Sequence, residues 1–229
     1  MPSGRFLDIA PFVGGFALLR EDGAIRAIHR RTTELGRDAL ALTLRGRPGE
    51  DRLLILRRDG AVRVAGPKPL SEPLFCCCKP LRDAALWGDT VLVVTHDGRI
   101  RLHTLEGGQP LPLPGDGGVV ARRVWAQRSA GAWVWTEDDH LVRLSRDETT
   151  PPVTRTLPGA TAVEVQPETG RVAWVDAENR LHVDGPDPAS PPFVWPVLQL
   201  HWVGERVLAL SGARRDLPDP PEVATHALD

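Results

Sequence analysis

Residues 91–103, VLVVTHDGRIRLH, place a run of aliphatic residues on each side of Asp97-Gly98. Apolar runs of four or five residues have the length of strands, and Asp-Gly between two of them is a strong short-range signal of a β-hairpin. The pattern recurs in FALLREDGAIRAI (16–28), LLILRRDGAVRVA (53–65), AWVWTEDDHLVRL (132–144) and RVAWVDAENRLHV (171–183). The turns start at Asp22, Asp59, Asp97, Asp138 and Glu178, at intervals of 37, 38, 41 and 40 residues. A sixth unit, with a drifted turn, begins at RVLALSGARR (206–215). Self-similarity at this period marks a repeat architecture.

Asp22-Gly23, Asp59-Gly60 and Asp97-Gly98 suit a two-residue type I′ loop, which needs positive φ at both positions. With that loop, Leu19 faces Arg26, Leu56 faces Arg63 and Val94 faces Arg101. These arginines are read as structural, with stems laid along apolar surface. Ahead of each hairpin stands an alternating run that ends in a large aromatic: Phe12, Trp87, Trp125 and Trp202. Segments after the hairpins, such as QPLPLPG and VTRTLPG, read as irregular fourth strands, where proline is tolerated only at a sheet edge.

A unit of about 40 residues with four short strands is a propeller blade. The sequence therefore predicts an all-β chain, a single β-propeller over residues 1–229 with six blades of four short antiparallel strands. The blades are expected at about 5–38, 39–80, 81–118, 119–158, 159–196 and 197–229. The last is expected to be incomplete or irregular. The tail RRDLPDPPEVATHALD (214–229) offers one strand, EVATHAL, and an unshielded sheet edge is adhesive. A partner protein covers that edge, or the ring tolerates an open seam.

HDGRIRLHTL (96–105) resembles the WD40-type repeat, in which Asp-Gly and a small polar residue precede Ile-Arg-Leu and Trp-Asp. The likeness extends over residues 12–185. The Gly-His and Trp-Asp pairs of that family are absent, and His103-Thr104 stands where Trp-Asp would. ETGRVAW (168–174) is similar to a docking element of quinoprotein propellers, but it occurs once and reads as a turn followed by a strand. The resemblance implies a divergent, bacterial, WD40-like propeller. Small bacterial propellers of this kind occur in multi-protein systems, such as those that pair a MoxR-type ATPase with a von Willebrand A-type protein.

Net charge is −2, so no overall basic field recruits nucleic acid or anionic membrane. The local basic candidates are Arg30, Arg31, Arg122 and Arg123. No run approaches the roughly 20 apolar residues of a membrane helix, and the expected location is the cytoplasm. Cys76, Cys77 and Cys78 are the only cysteines, in PLFCCCKPL (73–81). They fall in the outer-strand slot of the second blade. On a strand Cys76 and Cys78 face one way and Cys77 the other, so the three thiols do not converge on one metal.

His96 and His103 lie roughly 16 Å apart in the hairpin register. The other histidines, His29, His140, His182, His201 and His226, come one to a blade without zinc-site spacing. The cluster Glu137, Asp138 and Asp139 stands where sister blades place Asp-Gly, and it reads as a solvated turn. No nucleophile motif or phosphate-cradling glycine loop occurs, so no catalytic residue, cofactor or metal is assigned.

The expected function is a non-catalytic interaction scaffold or accessory subunit with protein partners. Phe12, Trp87, Trp125 and Trp202 are the candidate partner-binding residues if they ring the channel mouth. Asp22, Gly23, Asp59, Gly60, Asp97 and Gly98 are structural turn residues. A small-molecule-binding or hydrolytic propeller, with its site at the central channel, is one alternative. It needs polar groups that converge from several inner strands, and those strands read as poor in acids. A nucleic-acid-associated module is the other.

Overall fold

A computed structural model describes residues 6–28, 32–47, 49–66, 70–106, 109–111, 119–127, 131–145, 153–185, 188–203 and 205–211. The described residues form antiparallel sheets with no helix. The first blade is β1 (Phe6–Phe12), β2 (Gly15–Arg20), β3 (Ala24–Ile28) and β4 (Thr32–Arg37). The second is β5 (Ala41–Arg45), β6 (Leu53–Arg57), β7 (Ala61–Ala65) and β8 (Phe75–Cys76). The third is β9 (Asp83–Trp87), β10 (Thr90–Val94) and β11 (Ile100–Thr104). The fourth is β12 (Ala121–Ala126), β13 (Ala132–Thr136), β14 (His140–Leu144) and β15 (Val153–Thr156). The fifth is β16 (Ala162–Val165), β17 (Val172–Val175) and β18 (Leu181–Val183). β19 (Val197–Val203) and β20 (Arg206–Ser211) pair as a two-stranded ribbon.

Among the described residues the count is thus five blades and a ribbon, which corrects the expectation of six four-stranded blades. Proline explains much of the difference. It cannot donate to a ladder, and among the described residues after β11 the pairing on that edge is one bridge, Leu102 to Leu111, next to Pro110. After β18, Pro188, Pro191, Pro192 and Pro196 interrupt the described chain in the same way. The sixth repeat also lacks the Asp-Gly turn of the first three repeats and the Asp-Asp or Glu-Asn that replaces it in the fourth and fifth.

The middle strands read as apolar runs because both of their faces are covered. Leu53, Leu54, Ile55 and Leu56 are all buried, as are Val91, Leu92, Val93 and Val94. One face of each blade packs on the next. Leu54, Leu56 and Val62 of the second blade meet Leu86, Val91 and Val93 of the third in one cluster. Equivalent clusters join the first blade to the second, the third to the fourth, the fourth to the fifth, and the fifth to the ribbon. Each fully buried Leu or Val contributes about 1.5–3 kcal/mol relative to exposure.

The hairpin register differs from the sequence reading by one residue. Leu19 pairs with Ile25, Leu56 with Val62 and Val94 with Ile100, so Arg26, Arg63 and Arg101 sit opposite Leu18, Ile55 and Val93. The loops hold three residues. Thr95 N–H bonds Arg99 O at 2.9 Å across the loop His96-Asp97-Gly98, and Gly98 N–H bonds Thr95 O at 2.9 Å. This is a turn closed by a left-handed residue. Only the third position needs positive φ, and it is Gly23 (78°), Gly60 (81°), Gly98 (82°), Asp139 (61°) or Asn179 (62°). A one-residue slip turns each arginine to the other face. Arg63 there meets Asp38 at 3.0 Å and donates to Ser71 O at 2.6 Å, a structural role.

The same turn residue ties each hairpin to the segment that follows. Its carbonyl accepts from Asp38, Cys77, Ala121, Leu157 and Phe193 N–H in the five blades, at 2.8–3.1 Å. Asp22 and Asp59 carboxylates accept from Ala24 and Ala61 N–H at 3.2 and 3.0 Å, and the Thr95 hydroxyl donates to Asp97. These bonds hold the Asp22 and Asp97 carboxyls below the usual range.

Candidate functional site at the central channel

β1, β5, β9, β12, β16 and β19 are the innermost strands, and residues of all six line one cavity. Each strand carries one ionisable side chain toward this axis: Asp8, Arg45, Asp83, Arg123, Glu164 and His201. Their intervals are 37, 38, 40, 41 and 37 residues, so the charge repeats with the blade. Acid and base alternate. Strand position imposes the arrangement, because one residue per inner strand pointing along the ring meets its neighbour from the next blade.

Asp8 accepts from Leu44 N–H of β5 at 2.8 Å and from the Thr43 hydroxyl, and lies 3.7 Å from Arg45. Arg45 donates through Nε to Asp83. Asp83, only 1 % exposed, also accepts from Val124 N–H of β12 at 3.1 Å and lies 3.6 Å from Arg123. Arg123 reaches the fifth blade, with Glu164 at 3.1 Å and Val163 O at 3.3 Å. Burial by itself lowers the Arg45 pKa. The Asp83 and Asp8 carboxylates outweigh it and the net shift is upward, so the guanidinium stays charged.

His201 ends the series. Burial pushes its pKa below the usual 6.5; Arg123 and Arg45 push the same way, and Glu164 and Asp8 oppose them. Its Nε2 is buried with no hydrogen-bond partner among the described residues. The cavity beside it holds about 80 Å³, room for several waters by the measure of one water per ~10–15 Å³. Arg47 closes part of the space, donating to Ala126 O at 3.2 Å and pairing with Glu50 at 3.1 Å.

The four aromatics singled out in the sequence are all buried, at 8 % exposure or less, and present no shared aromatic surface. Phe12 packs between the first two blades and Trp87 between the third and fourth. Trp125 and Trp202 come together at the cavity. Trp125 Nε1–H donates to the Glu164 carboxylate at 3.2 Å, and Trp202 Nε1–H to the Glu164 carbonyl at 3.4 Å. The Arg123 guanidinium lies 5.0 Å from the Trp125 ring and that of Arg171 5.3 Å from Trp202. Arg122, named above as part of a basic patch, covers Trp135 at 5.0 Å and pairs with Asp139 at 3.3 Å. Arg30 and Arg31 lie outside the described residues.

The inner strands are therefore not poor in acids, as the sequence reading held. Asp8, Asp83 and Glu164 lie on the strands ahead of the hairpins, outside the turn motif that marks each repeat. A scan for ionisable residues at the blade interval, on the strand before each turn, finds all six ring members.

The histidines do not converge. His96 lies 3.1 Å from Lys79, and His103 is buried and stacked on Phe75 at 3.9 Å. His29 and His226 lie outside the described residues. No group of three or more potential metal ligands occurs among the described residues. The strand β8 ends at Cys76, and Cys78 has positive φ. Cys77 packs into the junction of the second and third blades, while Cys76 and Cys78 are exposed. Burial raises the Cys77 pKa, partly offset by Arg101.

No protein-family model and no curated protein sequence matches the chain. Solved structures do. YCF48 bound to D1 peptide aligns with a TM-score of 0.62 at 10 % identity over 91 % of this chain and 75 % of that one. A chain of the mitotic checkpoint complex gives 0.64 at 11 % identity over 89 % and 72 %. The WD40 β-propeller domain of Doa1 gives 0.60 at 10 % identity over 91 % and 90 %. The chain has the WD40-like β-propeller fold. No helix among the described residues is long and apolar enough to cross a membrane.

Proposed function

We propose that the protein is a non-catalytic interaction scaffold, an accessory subunit of a bacterial multi-protein system in the cytoplasm. The observation that carries this reading is the state of the channel. Its ionisable groups from five blades are engaged with one another, and the space they leave is about 80 Å³. A catalytic centre needs a nucleophile or an acid–base pair free to meet substrate. Here Arg45, Asp83, Arg123 and Glu164 bind blade to blade. The buried aromatics Phe12, Trp87, Trp125 and Trp202 hold the inner strands rigid and so support a binding face instead of forming it. Among the structural neighbours, one is bound to a peptide and one belongs to a multi-protein complex, in keeping with protein partners.

A second reading rests on His201. Its unpartnered Nε2 borders a small cavity whose largely apolar wall carries a few charged groups, as a small-molecule site does. Affinity purification of the tagged protein from its host, at low salt, separates the two. The scaffold reading expects a stoichiometric protein partner. Recovery of the free chain alone, with a ligand-dependent rise in Tm that His201→Leu abolishes, establishes the second reading instead.

A further inference from the structure

Among the described residues three that are not glycine take positive φ: Cys78 at 58°, Asp139 at 61° and Asn179 at 62°. Asp and Asn tolerate the left-handed region, and both stand at the hairpin position that demands it. Cys78 has neither reason. Strain of this kind gathers where a local geometry serves a purpose.

The neighbours of Cys78 show what the geometry achieves. The ladder of the second blade ends where Ala61 pairs with Cys76, on the outermost strand of that sheet. Cys77 N–H is then held by Gly60 O at 3.1 Å, and the Cys77 side chain packs among the apolar residues of the junction. Past that anchor the chain turns. Cys78 N–H donates back to Cys76 Sγ at 3.3 Å, and the Cys76 thiol donates to Asp59 O at 3.2 Å. Cys76 Sγ is thus held against the backbone of Cys78, and rotation about the Cys78 Cα–Cβ bond brings the second sulfur toward it. Both outer thiols are free and exposed, on an edge that any solute reaches.

Paired thiolates select soft cations. No third ligand joins these two among the described residues. The matching ion is one satisfied by two sulfurs, as monovalent copper and silver are; structural zinc takes four ligands. Binding exchanges two S–H bonds for two S–metal bonds and releases two protons. The complex of a monovalent ion with two thiolates then carries one negative charge. Lys79, next in the chain, and Arg101, whose charge acts on Cys77, are placed to offset it.

We propose that Cys76 and Cys78 form a two-coordinate site for a soft monovalent cation of the copper(I) class, with Cys77 outside the coordination set. The inference does not depend on the scaffold reading.

The test titrates the reduced full chain with copper(I), buffered by bicinchoninate, and follows the metal–thiolate absorbance in the ultraviolet. One ion per chain is expected, with two protons released per ion. Cys76→Ser and Cys78→Ser each weaken binding at least about tenfold, the least that even a supporting residue of a metal site costs. Cys77→Ala leaves affinity and stoichiometry unchanged. Should Cys78→Ser not fold, Cys78→Gly carries the same comparison, because glycine suits the positive φ and removes only the sulfur. Unchanged affinity in either outer variant overturns the proposal, as does an equal loss in Cys77→Ala. Two chains per ion by sedimentation overturns it in favour of a site between copies. Zinc(II) bound as tightly as copper(I) overturns the two-coordinate assignment.

Discussion

The apolar junctions and the charged hub recur with the same period, yet they hold the ring by different physics. At the junction of the second and third blades, Leu54, Leu56, Val62, Leu86, Val91 and Val93 exclude water through contacts that have no direction. Each junction involves two neighbours only, so its contribution adds to the others as in any repeat protein. At the hub, Asp83 is shared by Arg45 and Arg123, and Arg123 is shared by Asp83 and Glu164. Removing a methyl group from a junction leaves a void. Removing one charge from the hub leaves its partners buried and uncompensated. The junctions supply cohesion; the hub fixes which strand end meets which.

Asp83→Ala is the sharpest test of that difference. It strips Arg45 and Arg123 of a shared carboxylate and orphans Val124 N–H. Loss of one partner from a buried pair costs about 3–5 kcal/mol, and urea unfolding at neutral pH is expected to show a loss in that range. Asp83→Asn keeps an acceptor for Val124 and should lose less. Equal losses for the two variants mean that the charge contributes nothing and the comparison fails.

Leu54→Ala, fully buried in the junction, is expected to cost about 3 kcal/mol, within the 2–5 typical of such cavities. Its effect should add to that of Asp83→Ala within about 0.5 kcal/mol if junction and hub are independent. Strong coupling between the two shows that the blade moves as one unit.

The sequence displayed the junctions more openly than the hub. Asp-Gly turns at intervals of 37–41 residues announced hairpins, and apolar runs such as TVLVV announced strands covered on both faces. The three-residue loop was not legible, because Asp-Gly serves both the two-residue turn and the turn with one left-handed glycine. Asp139 and Asn179 at the same position were the available hint, since a left-handed residue is needed there only once. The strand count fell short in the third and fifth blades, where proline removes ladder donors, and the sixth unit is described only as the ribbon of β19 and β20. The charged ring was present at a regular interval, but Asp8, Asp83 and Glu164 look like ordinary strand residues until the topology brings six inner strands to one axis.

His201 gives the smallest expected effect and the finest test of the hub. Burial, with Arg123 and Arg45, holds its folded-state pKa below the 6.5 of the unfolded chain, against Glu164 and Asp8. As pH falls the unfolded chain therefore takes up the proton first. The stability tied to neutral His201 is fully present above about pH 6.5. It is lost as pH falls from there through the folded-state value, with a slope of at most about 1.4 kcal/mol per pH unit for one group. Urea unfolding of His201→Gln from pH 7.5 to 5 should show a shallower decline than the parent. Glu164→Gln in the parent should steepen the decline, because it removes a charge that favours protonation. Superimposable profiles for parent and His201→Gln detach His201 from the hub and leave the ring with five coupled members.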